Sequence, residues 1–116
     1  MPNEQRLDID LVRQVLLGLE RGEDPEKLPS VREAKVRYHQ YLMADAGFID
    51  RLVITGGGAT PWPAVRITWA GQEFLQNARS DTLWSKGKAK VMSGVGTLSL
   101  EALKVALAEL AKQAMG

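Results

Sequence analysis

Between Val31 and Leu75 the hydropathy pattern changes period, and that change restricts the fold more than any other property of the chain. Val31, Ala34, Tyr38, Tyr41 and Leu42 recur at helical spacing. Arg32, Glu33, Val36, Arg37, Gln40 and Met43 fall on the opposite side, with His39 at the boundary. Ala46-Gly47-Phe48-Ile49 then stops the helix, because glycine accepts the left-handed conformation that closes a helix C-terminus. Phe48 to Thr55 alternates as a strand does, and Ala64 to Thr68 is its expected partner. Between them lies Gly56-Gly57-Gly58-Ala59-Thr60-Pro61-Trp62-Pro63, too long for a two-residue turn. Thr68 can cap a further helix through Phe74, Leu75 and Ala78, running on or kinking at Ser80-Asp81-Thr82.

The flanks extend this pattern. Asp8 or Asp10 can cap a first helix whose Leu11, Val12, Val15, Leu16 and Leu19 share a face and which Gly22 ends. Residues 23–29 carry two prolines and read as a loop. Ser30 with Glu33 forms a capping box for the second helix. Lys86-Gly87-Lys88-Ala89-Lys90 reads as a basic, solvated stretch, and Gly94 and Gly96 mark a break. Ser99 then caps a last helix striped by Leu100, Leu103, Leu107, Leu110 and Ala114. The expected fold is α+β and mostly helical. Residues 1–92 form a winged-helix-like domain with a two-stranded β-wing, and residues 93–116 form an added C-terminal helix. That helix packs on the domain or on a second protomer.

At 116 residues the chain has mass for one modest core. It contains no cysteine, which excludes disulfides, thiolate nucleophiles and cysteine-based zinc sites and fits a reducing cytoplasm. No apolar run approaches the roughly 18–20 residues of a membrane span, and the N-terminus lacks a signal-peptide layout. The expected location is cytoplasmic. The net charge of +1 is unevenly spread: residues 31–92 hold nine basic against five acidic residues, whereas residues 1–30 hold four against seven.

Four stretches carry a family likeness. They are Asp10-Leu11-Val12-Arg13, Tyr38-His39-x-Tyr41-Leu42 with Ala46-Gly47-Phe48, Thr68-Trp69-Ala70-Gly71-Gln72-Glu73-Phe74-Leu75, and Ala78-Arg79-Ser80-Asp81-Thr82-Leu83-Trp84. As a set they resemble domain-of-unknown-function family 2513, a family of uncharacterised bacterial and phage proteins, with Gln72 where that family usually has His. The resemblance spans nearly the whole chain and implies a winged-helix-like fold. It brings no activity, cofactor or partner.

Chemistry must therefore be read from the residues. His39 is the sole histidine and has no nucleophile or paired acid at useful spacing, so a histidine bonded to a backbone carbonyl or the Asp45 region is the expectation. One His and no Cys argue against a metal site, no cofactor is implied, and no catalytic residue is nominated. The triple glycine lacks the Gly-Lys-Ser/Thr of a phosphate loop and suits a wing tip. Trp69 and Trp84 are expected to pack in the core, and Asp81-Thr82 to form a local cap.

Two functions follow. In the first, a small DNA-binding protein, a transcriptional regulator or phage accessory factor, lays the second helix in the major groove of double-stranded DNA. Arg32, Lys35, Arg37 and Gln40 would face the bases, and Arg51 and Arg66 on the ribbon would touch phosphate. A homodimer through the C-terminal helix would suit paired half-sites. In the second, the same fold is a protein-interaction module that offers Trp62. The presence of one helix, rather than two, between the first helix and the wing favours the second; the basic middle of the chain favours the first.

Overall fold

The computed structural model describes residues 6–28, 31–51, 65–95 and 99–114. Among them are five α-helices and one antiparallel ribbon: α1 (Ile9–Glu20), α2 (Glu33–Asp45), β1 (Ile49–Arg51), β2 (Val65–Ile67), α3 (Trp69–Ala78), α4 (Asp81–Val95) and α5 (Leu100–Ala114). The fold is mostly helical α+β. Among the described residues between α1 and α2 is a 3₁₀ turn, Pro25–Lys27, where a winged helix would carry a supporting helix.

Local chemistry accounts for most boundaries. Asp8 caps α1, its carboxylate accepting from the Leu11 N–H at 3.2 Å. α1 and α2 close alike, with Gly22 and Gly47 at φ of 79° and 81°. The Glu23 N–H reaches the Gly18 carbonyl at 2.9 Å, and the Phe48 N–H reaches that of Met43 at 2.9 Å. Thr68 caps α3 by accepting from the Gly71 N–H at 3.1 Å, while its hydroxyl donates to the Gly47 carbonyl. One threonine thus starts α3 and ties it to the end of α2. Ser99 accepts from the Ala102 N–H at 3.1 Å at the start of α5.

Other boundaries differ from the reading of the sequence. α2 begins at Glu33 behind an Arg32 cap residue that makes no side-chain cap bond, and Ser30 lies outside the described residues. The α3–α4 junction is capped by Ser80, which accepts from the Leu83 N–H at 3.2 Å, rather than by Asp81-Thr82. Residues 86–90 are part of α4, and Gly87 is buried against Leu107. The helix continues through Gly94, because packing against α5 outweighs the low propensity of its glycines.

The ribbon pairs Ile49 with Ile67, Asp50 with Arg66 and Arg51 with Val65. Its inward residues meet Leu16, Val36, Met43, Phe74 and Leu75 in a single core. Phe48 stacks on Phe74 at 4.6 Å between ring centroids, and Trp84 meets Phe74 edge-on at 6.0 Å. α5 packs across α3 and α4, with Leu103 and Leu107 fully buried.

Candidate interaction surfaces

The face of α2 that enters the core is Val36, His39, Gln40 and Met43, the side opposite to the one the apolar spacing suggested. Tyr41, expected inside, is 53% exposed. The reversal has a specific cause: His39 is bonded at both ring nitrogens. The Asp8 N–H donates to Nε2 at 2.8 Å, which leaves the proton on Nδ1 to reach the Lys35 carbonyl at 2.8 Å. A polar ring so satisfied is buried at little cost, and it joins the start of α1 to the middle of α2. The carbonyl expected for His39 is present; Asp45 is not its partner.

This rotation redistributes the residues nominated for DNA. Gln40 is 3% exposed and turned to the core, so it cannot meet a base edge from this position. Lys35 is half-buried and donates to Asp8 at 3.0 Å. Arg37 pairs with Glu33 at 2.5 Å one turn earlier on the helix, and Arg66 pairs with Asp50 across the ribbon. Arg32 is exposed at the head of α2. The backbone of Arg51 lies in β1; its side chain, the triple glycine and Trp62 lie outside the described residues. Among the described side chains, Lys35, Arg37 and Arg66 are thus each paired with a carboxylate.

The four motif stretches meet as joints of the fold. Asp10 accepts from the Trp84 indole N–H at 2.7 Å and from Lys88 Nζ at 2.9 Å. Arg13 donates to the Ala78 carbonyl at 2.7 Å and to Asp81 at 2.5 Å, and its guanidinium lies 5.6 Å from the Trp84 ring centroid. α1 is thereby latched to the α3–α4 corner. Burial pushes the Asp10 carboxyl up, but the bonds from Trp84 and Lys88 outweigh it and hold it below the usual range. Asp8 behaves alike: burial raises it, and the bonds from Lys35 and the Leu11 N–H bring it below.

Trp69 is the exception. Trp84 is 3% exposed, as its amphipathic setting suggested, but Trp69 is 80% exposed. It shares one side of α3 with Gln72, Glu73 and Gln76, at helical spacing, while Gly71, Phe74, Leu75 and Ala78 face the core. With Arg79 these residues line a shallow cavity of about 360 Å³. Arg79 itself reaches across to Glu20 at 2.6 Å. The signal was present in the sequence, since Trp69 lies on the polar side of α3's helical wheel; its bulk suggested the core instead.

The chain belongs to the family described as Hypothetical protein (DUF2513), whose model matches residues 6–97. It is also similar to a protein of Haemophilus influenzae described as an uncharacterized protein, 32% identical over 101 residues, covering 82% of this chain and 86% of that one. No solved structure matches. Among the described residues, no helix is long and apolar enough to cross a membrane.

Proposed function

We propose that the chain is a winged-helix-like protein-interaction module, and that the α3 face headed by Trp69 docks on a partner protein. The observation that carries this reading is the exposure of Trp69 at 80% on the first turn of a helix whose other side is locked into the core. A large aromatic offered to solvent beside hydrogen-bonding side chains has the composition of an interface anchor. Gln72 and Gln76 supply amides, and Glu73 supplies a charge at the rim. The pairing of Arg37 and Arg66 with carboxylates favours this reading over groove binding, which gains most from an unbroken basic surface.

The test uses the intact protein and two ligands. Immobilised wild type and Trp69→Ala are exposed to lysate of the source cell, and retained proteins are quantified. The expected result is a partner held by the wild type and reduced about tenfold or more by Trp69→Ala. In parallel, fluorescence anisotropy is recorded with random duplex DNA at low and moderate salt. Steeply salt-sensitive binding that Arg37→Glu abolishes and Trp69→Ala spares would overturn the proposal in favour of DNA binding by α2.

A further inference from the structure

A second surface is independent of the α3 face. The outer side of α5 presents Glu101, Lys104, Val105, Ala108, Glu109 and Lys112, all exposed, at spacings of three and four residues. Val105, at 50% exposure, is among the large apolar side chains left open on the molecule. Beside it, between α4 and α5, opens a groove of about 490 Å³ floored by Val91, Ala102 and Ala106, with Glu101 and Glu109 at its edge. Lys90 fixes the Glu109 carboxylate at 2.8 Å on one flank.

The order of charges along this face decides what it fits. Read in the two chain directions, Glu101-Lys104-Glu109-Lys112 is complementary to itself. When two copies of α5 run antiparallel about a point midway between residues 106 and 107, Glu101 comes level with the partner's Lys112. Lys104 comes level with the partner's Glu109, and Val105 with the partner's Ala108. Each pairing then occurs twice, as two-fold symmetry requires. A parallel pairing in register would instead set every charge against its like. The small Ala108 lets the backbones approach closely enough for Val105 to reach across. We infer that this chain self-associates through α5, as an antiparallel pair in this register. The occupant of the face is a second copy, because the antiparallel arrangement sets its apolar centre against itself and each flanking charge against its opposite, with Glu109 shared between Lys90 and the partner's Lys104. A pair of 15-residue helices makes a small interface, so the dimer is concentration-dependent.

Sedimentation velocity of the full chain from about 10 to 500 µM should show conversion from 12.7 kDa to twice that mass. Glu101→Lys with Glu109→Lys, and separately Lys104→Glu with Lys112→Glu, should each remain monomeric at the same concentrations. An equimolar mixture of the two should regain the dimer. The register is read without changing any charge: Val105→Cys mixed with Ala108→Cys should form the mixed disulfide dimer faster than either forms its own. The chain's lack of cysteine leaves no competing thiol. A wild type that stays monomeric throughout overturns the inference, as do charge variants that associate like the wild type. Should a charge variant lose helicity by circular dichroism, the cysteine pair decides, and equal rates for mixed and unmixed samples overturn the register.

Discussion

Replacing Gly71 with alanine separates tertiary packing from local propensity, because the two effects have opposite signs. Gly71 lies in the first turn of α3, where helix propensity alone favours alanine by about 1 kcal/mol. An added Cβ would lie 2.1 Å from the Phe48 carbonyl oxygen and 2.8 Å from Ile67 Cγ2. The first distance is more than an ångström inside the separation at which non-bonded atoms settle. The obstacle is backbone, so no side-chain rotation relieves it. α3 must move off the α2–β1 corner, straining the Thr68 N–H bond to that same carbonyl (2.9 Å) and the Thr68 link to Gly47. Overpacking at the upper end of its usual cost, about 3 kcal/mol, plus about 1 for the hydrogen bond, less about 1 for propensity, leaves a loss of about 3 kcal/mol. At this chain length that lowers Tm by about 12 °C. Two controls set the scale by calorimetry. Gly87→Ala brings a Cβ to 2.8 Å from Leu107 Cδ2 and 3.3 Å from its Cγ, side-chain atoms rather than backbone, and should lower Tm by less than Gly71→Ala. Gly18→Ala meets nothing closer than 3.4 Å and should raise it by a few degrees. A Gly71→Ala protein as stable as the wild type would refute the claim that the Phe48 carbonyl fixes the position of α3.

Two further predictions concern the latches on α1. His39→Leu removes the acceptor for the Asp8 N–H and should cost about 2 kcal/mol in urea unfolding; a loss below about 0.5 kcal/mol would show that the ring only fills space. Asp8 and Asp10 both titrate below their ordinary value in the folded chain. In acid, then, the unfolded chain takes up protons first, and stability present above about pH 4 falls as pH drops through the folded values. The urea midpoint should hold steady from about pH 7 to 5 and decline below about 4. Asp8→Asn with Asp10→Asn should start lower at neutral pH and decline less; an equally steep decline would assign the acid sensitivity to other carboxylates.

What could be read in the sequence follows the range over which each determinant acts. Gly22, Gly47, Asp8, Thr68 and Ser99 act within one turn, so the ends of helices and the change from helix to ribbon were legible. The orientation of α2 was not, because it depends on a bond between His39 and a backbone group 31 residues away. Counting apolar residues selected the face with Tyr41 over the one with His39 and Gln40. Gly87 misled in the same way: Leu107, 20 residues on, turns a glycine in a basic run into a contact point between two helices. Residues joined only by tertiary contact, such as Asp10 with Trp84, were visible as motif members but not as partners.

The exposure of Trp69 follows from that joint. Residues two apart on an α-helix point about 200° away from each other. Gly71 must face the Phe48 carbonyl, since only a residue without Cβ fits there. Trp69 must consequently face outward, and no rotation of α3 can bury it without driving Gly71 out of its seat. Thr68, bonded to both Gly47 and the Gly71 N–H, removes the freedom to slide along the axis. The tryptophan is therefore held outward by the packing of its own helix, on a backbone fixed by the joint. In the docking role proposed for it, such an anchor would cost little in backbone ordering, which is the physical advantage of a rigid anchor over an aromatic carried on a loop.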